Sequence, residues 1–273
     1  MTTRQFFKMS GSGNDFVVFD ARTEPAGAID DPVVIQALCA RGTGVGADGL
    51  VFIEPATEKA ADFRMRYFNA DGSRAAMCGN ATLCVTRLAA DLGAGPREGM
   101  RVQTDSGIVT SRMVGASAEV DMAPVHEVRS DVAIELQEGE QRIGYAIPGV
   151  PHLVVLCQDV GRIDVMGRGR ALRLHPAVRP HGANANFVSR REDGTWSIRT
   201  YERGVEAETL ACGTGAIASA ILLCTWGQSG LDTTLVTRSG RQVSVRLRRH
   251  DADWCPTLRG EARLVFTGEL GDA

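Results

Sequence analysis

The chain of 273 residues is 44% hydrophobic and 23% charged, the balance of a globular protein of one large domain or two ordinary ones. Its formal net charge of −3 offers no basic field to nucleic acid. No apolar run approaches the roughly 18 residues that span a bilayer, and the opening Met1-Thr2-Thr3-Arg4-Gln5-Phe6-Phe7-Lys8 lacks the apolar stretch and cleavage site of a secretory signal, so neither membrane nor export is expected and the setting is read as cytoplasmic.

In chain order, Phe16-Val17-Val18-Phe19, Gly49-Leu50-Val51-Phe52-Ile53 and Phe63-Arg64-Met65-Arg66-Tyr67-Phe68 read as strands rich in β-branched and aromatic residues. After Cys78, apolar residues at Ala81, Cys84, Val85, Leu88, Ala89 and Leu92 keep three- and four-residue spacing, which predicts a helix stopped by Gly93. A junction is expected near Val120-Asp121-Met122-Ala123-Pro124, because Pro124 cannot donate to a ladder. Leu153-Val154-Val155-Leu156 and Trp196-Ser197-Ile198-Arg199-Thr200-Tyr201 again read as strands. The stretch Ala216–Cys224 is apolar on every side and closed by Gly227, so a helix there must be buried.

The order repeats itself. Gly13-Asn14-Asp15-Phe16-Val17-Val18 is matched by Gly149-Val150-Pro151-His152-Leu153-Val154, Gly46-Ala47-Asp48 by Gly182-Ala183-Asn184, and Cys78-Gly79 by Cys212-Gly213. In both copies a tyrosine, Tyr67 or Tyr201, precedes the cysteine by eleven residues. Ordered matches at a nearly constant offset, close to half the chain, predict a duplication. The expected fold is α/β, with two pseudo-symmetric domains, each a mixed sheet wrapped around a central helix, spanning 1–123 and 124–261.

Seven cysteines is an odd number, and in a reducing compartment they stay thiols; five of them read as small buried apolar residues. No Cys-x-x-Cys pair is present, and His126, His152, His175, His181 and His250 show no ligand spacing, so no metal site is expected. Lysine occurs only at Lys8 and Lys59; the rest of the 30 basic residues are arginine. Neither lysine sits in a context suited to a pyridoxal phosphate Schiff base, so chemistry at an amino-acid α-carbon would proceed without that cofactor.

Cys78-Gly79-Asn80 and Cys212-Gly213-Thr214 open the two predicted helices. A helix N-terminus carries partial positive charge and unsatisfied N–H groups, which favour thiolate and bind carboxylates. Two such halves set face to face would place a thiol on either side of a bound α-carbon. One sulfur would remove the α-proton while the other protonates the opposite face, and the helix ends would stabilise the carbanion.

These residues carry a resemblance to the diaminopimelate epimerase family along nearly the whole chain. The matching stretches are Lys8-Met9-Ser10-Gly11-Ser12-Gly13-Asn14-Asp15-Phe16, Arg41-Gly42-Thr43-Gly44-Val45-Gly46-Ala47-Asp48-Gly49 and Phe68-Asn69-Ala70-Asp71-Gly72-Ser73 leading to Met77-Cys78-Gly79-Asn80. They continue with Gly149-Val150-Pro151-His152, Asn184-Ala185-Asn186-Phe187 and Tyr201-Glu202-Arg203-Gly204 leading to Ala211-Cys212-Gly213-Thr214. The resemblance implies interconversion of LL- and meso-2,6-diaminopimelate without metal or coenzyme, usually by a homodimer, with the final strand (about 262–273) returning to the first domain. It implies Cys78 and Cys212 as the acid/base pair and His152 and Glu202 as groups that set their protonation. It implies Gly79, Asn80, Gly213 and Thr214 at the reacting carboxylate, and Asn14, Asn69, Asn184, Glu202 and Arg203 holding the substrate.

The chain departs from the commoner family pattern at Val150, where asparagine is usual, at Leu83, often arginine, and in a 204–209 loop one residue longer. None of these touches the thiols. Two other readings stay open: a racemase of another amino acid, which would not need the distal Asn, Glu and Arg set, and a non-catalytic amino-acid-binding protein, which would need neither cysteine.

Overall fold

The computed structural model describes residues 4–271; the outermost residues of the expected first domain and of the N-terminal segment, 1–3 and 272–273, lie outside it. The protein is a mixed α/β chain that divides into two compact units, Met1–Val120 with Gly260–Ala273, and Asp121–Arg259.

In the first unit, strand Arg4–Gly11 lies antiparallel to Asn14–Asp20, which runs parallel to Gly49–Glu54. The next strand, Phe63–Asn69, is antiparallel to Gly49–Glu54 and parallel to Met100–Thr104, which opens a meander through Gly107–Val114 and Ser117–Asp121. The last strand, Ala262–Leu270, pairs antiparallel with Arg4–Gly11 along its whole length. Helix α1 (Pro32–Cys39) starts where the Asp31 carboxylate accepts the Val33 N–H and Pro32 fills the first turn. Helix α2 (Gly79–Asp91) ends at Leu92, and Gly93 follows with φ +64°. Six strands of the unit pack on α2, so the sheet curls round it. The shared core includes Met9, Phe16, Val18, Val51, Met65, Cys84 and Leu88, and each such large side chain contributes roughly 1.5–3 kcal/mol on burial.

The second unit repeats these pairings. Glu140–Ala146 is antiparallel to His152–Cys157, which runs parallel to Asn184–Arg190; Trp196–Glu202 is antiparallel to that and parallel to Asp232–Val236, which pairs antiparallel with Gln242–His250. Helix α3 (Val165–Arg173) covers one sheet face, with Val165 and Leu172 against Phe187 and Tyr201. Helix α4 (Gly213–Thr225) lies on the other, and every residue from Gly215 to Leu223 is buried. A helix with no polar stripe is stable in water only when enclosed in this way.

The tyrosine match does not hold. Tyr67 pairs with Val51 and belongs to the core around α2, whereas Tyr201 pairs with Ala185 and packs in the core beside α3. The residue opposite Asn186, in the place Tyr67 holds opposite Val51, is Thr200. The turn after Trp196–Glu202 is one residue longer than its counterpart, and in a strand a slip of one residue moves a side chain to the other face. The equal spacing of the tyrosines from their cysteines is coincidence.

Candidate active site

Cys78 and Cys212 are the N-cap residues of α2 and α4, with backbone angles φ −135°, ψ 122° and φ −141°, ψ 111°. Each carbonyl accepts the first helical N–H, from Thr82 and Ala216 respectively. Gly79-Asn80 and Gly213-Thr214 form the first turns, so their backbone N–H groups belong to the positive helix end. Both cysteines are half-buried. Among the buried thiols, burial pushes Cys39 up to about 11 and Cys157 up to about 12, and raises Cys84 too. Those three are inert core sulfurs.

Around α2, the Asn14 amide donates to Asp48 (2.9 Å) and accepts from the Asn80 amide (2.7 Å). Asp48 is bound by Arg41 at 2.8 Å, and Arg41 also grips Asp15 at 2.6 Å. Lys8, nearly buried, pairs with Asp15 at 2.5 Å and donates to the Gly46 carbonyl. Burial by itself would raise Asp15, but the bonds from Arg41 and Lys8 hold it below the ordinary carboxylate range. This ion network fixes Asn14 beside Asn80 at the helix start. Asn69 is the last residue of its strand, where its amide donates to Ser73 (3.0 Å) and accepts from Tyr67 (3.2 Å).

Around α4, His152 is fully buried, with Nε2 3.0 Å from Thr214 Oγ1 and Nδ1 3.0 Å from the Asn186 amide nitrogen. Thr214 Oγ1 lies 3.5 Å from Cys212 Sγ. Burial, with the charge of Arg203 adding to it, pushes His152 down to about 3, so the ring is neutral. Asn184 accepts the Arg203 backbone N–H (2.7 Å) and its amide nitrogen lies 3.3 Å from His152 Nε2. The Arg203 guanidinium donates to the His181 carbonyl at 3.2 Å, and Glu202 ends its strand half-buried.

Thus Asn14, Cys78, Gly79 and Asn80 gather in one unit, and His152, Asn184, Arg203, Cys212, Gly213 and Thr214 in the other. Asn186 and Thr200 were missed in the sequence. Asn186 donates to the Leu153 carbonyl (2.9 Å) as well as to His152, and accepts from Thr200 (2.9 Å). Asparagines at alternate positions, Asn184 and Asn186, at the start of a strand that continues Phe187-Val188 were the available signal. At the points of departure, Leu83 is core and Val150 sits half-exposed in the turn before His152. Glu206 closes the longer loop by accepting from Gly204 and Tyr201. Among the described residues no cluster of three or more His, Cys, Asp or Glu is placed to hold a metal ion, and no helix is long and apolar enough to cross a membrane.

The family model described as Diaminopimelate epimerase matches residues 6–128 and 145–265. The chain is 50% identical to the diaminopimelate epimerase of Gemmatimonas aurantiaca over 97% of its own length and 98% of that protein's. It is 37% identical to that of Aquifex aeolicus, covering 98% of both. A phenazine biosynthesis protein of the PhzF family from Bacillus anthracis shares the fold, with a TM-score of 0.77 over the whole of both chains at 17% identity.

Proposed function

The chain belongs to the diaminopimelate epimerase family, and from that premise we propose that it works by a two-base mechanism, Cys78 and Cys212 inverting one α-carbon from opposite faces. The enzyme is an isomerase that converts LL-2,6-diaminopimelate to the meso form. The observation that carries the two-thiol reading is the repeated helix start: a cysteine N-cap with the same backbone conformation, followed by glycine, once in each unit.

The carboxylate next to the reacting carbon is bound by the N–H groups of Gly79-Asn80 and Gly213-Thr214. One thiolate takes the α-proton, and the C–H electron pair passes onto the α-carbon and its carboxylate. The other thiol gives its proton to the opposite face. The charges on the two sulfurs are thereby exchanged, and nothing else is consumed. His152, neutral beside Thr214, and Glu202 govern which sulfur carries the proton. Asn14, Asn69, Asn184, Glu202 and Arg203 recognise the substrate's charged ends, Arg203 by paired hydrogen bonds to a carboxylate.

Cofactor independence is supported by the lysines. Lys8 is held by Asp15, and Lys59 lies exposed in a turn. A cytoplasmic homodimer completes the reading, and the exposed Leu264, Val265 and Phe266 are apolar surface that a second copy would cover.

The test is proton NMR of LL-diaminopimelate with the enzyme in D2O, under reducing conditions and without added coenzyme, beside a panel of L-amino acids. Loss of the α-proton signal with appearance of the meso isomer, for diaminopimelate alone, is the expected result. Exchange in another amino acid would retain the thiols and move the substrate; no exchange at all would point to a binding protein.

A further inference from the structure

We propose that Asn186 is the positioning residue that holds His152 in its Nε2–H tautomer, so that a directed chain of hydrogen bonds ends on the Cys212 sulfur. Asn186 lies under α4, in the strand between His152–Cys157 and Trp196–Glu202. Its orientation is fixed at both ends. The Leu153 carbonyl can only accept, so the group facing it is the amide NH2, and the Thr200 hydroxyl donates to the remaining oxygen. Gly215 makes the approach possible: a methyl group there would overlap the Asn186 oxygen.

With Leu153 taking one amide proton, the other points at His152 Nδ1. Nδ1 must accept, and the neutral ring carries its proton on Nε2. That proton has an acceptor 3.0 Å away in Thr214 Oγ1. The opposite tautomer would turn two donors together at 3.0 Å in a fully buried place, whereas Nε2–H meets the Asn184 amide only at the longer 3.3 Å and keeps Thr214 as its acceptor at 3.0 Å. When Cys212 is a thiolate its sulfur can only accept, so the Thr214 hydroxyl, already accepting from Nε2–H, turns its own proton to Cys212 Sγ, 3.5 Å away. The order of donation therefore runs from Asn186 through His152 and Thr214 to the sulfur. No proton needs to transfer along it; the chain offers a donor to sulfur and so favours thiolate. The charge of Arg203 acts on the ring in the same sense and disfavours imidazolium.

This inference rests on Cys212 being an acid/base thiol, and two measurements separate the claims. Long-range 1H–15N correlation on the 15N-labelled enzyme at neutral pH, with His152 assigned by comparison with His152→Gln, reads the tautomer directly. A neutral Nε2–H pattern is expected; Nδ1–H or imidazolium would overturn the inference and leave the two-base reading intact. Second, the alkylation of each cysteine is followed against pH by peptide mass spectrometry. In Asn186→Leu the midpoint for Cys212 should rise by about one pH unit, a tenfold loss of thiolate at a given pH below it, with kcat falling, KM held and Cys78 unchanged. Thr214→Val should reproduce the shift and Thr214→Ser should restore the wild-type profile. An unchanged Cys212 profile in Thr214→Val would overturn the inference even if Asn186→Leu does not fold.

Discussion

The starts of α2 and α4 share a backbone but stand on different floors. Under α4 lie His152, Asn186 and Thr200, all polar, all buried and hydrogen-bonded to one another. At the matching register positions under α2 lie Phe16, Val51 and Tyr67, with Phe16 and Tyr67 in edge contact at 6.1 Å and Cys78 packed on the same apolar cluster. Even the third helix residue follows its floor: Ala81 fits over the apolar side chains, whereas Gly215 makes room for an amide. Repetition supplied two equivalent helix ends, and the residues beneath them diverged. In the proposed two-thiol reaction the two sulfurs would therefore work in different surroundings, one beside Thr214 and one packed on an apolar cluster.

The largest test of this contrast removes the sulfurs themselves. Cys78→Ala and Cys212→Ala should each lower turnover by about 100-fold to 10,000-fold, the range for a lost acid/base group, measured as meso product formed. Substantial turnover in either would break the pairing of the two sites. Next comes acid. Since burial holds His152 neutral, its folded value of about 3 lies below the unfolded one near 6.5. The stabilisation is complete above about pH 6.5 and is lost as pH falls towards 3, by up to about 1.4 kcal/mol per pH unit. Urea unfolding at pH 6.5, 5.5 and 4.5 should show that slope, and His152→Gln should flatten it. A sharper, smaller comparison exchanges the third helix residues. Gly215→Ala should destabilise by about 1–3 kcal/mol through overpacking, although alanine is the better helix former. Ala81→Gly should cost only about 1 kcal/mol from helix propensity and leave Cys78 in place. Equal effects in thermal melts would mean the floors do not differ as described.

Much of this was legible in the residue pattern. The helices after Cys78 and Cys212 end at Gly93 and Gly227 as their spacing predicts, since both glycines adopt positive φ. The five strands read as β-branched runs are strands. Other elements left weaker traces. The first strand, Arg4–Gly11, is buried along most of its length and shows no alternation, and α1 is only eight residues long, although its Asp31-Pro32 start carries the capping signal. Asn186 escaped notice because an asparagine in isolation reads as a turn residue. Its role depends on lying between two other strands in register, and on Gly215 above it, which no local window contains. The tyrosine match failed for the same reason, since an extra turn residue is invisible until the ladder is drawn.

The pairing of Ala262–Leu270 with Arg4–Gly11 has a consequence for synthesis. Every residue of the unit Asp121–Arg259 has been translated before the closing strand leaves the ribosome. The other unit begins first, yet it exposes one edge of Arg4–Gly11 until Ala262–Leu270 emerges. The half made second is therefore the first able to complete its sheet, the reverse of the usual N-terminal-first order.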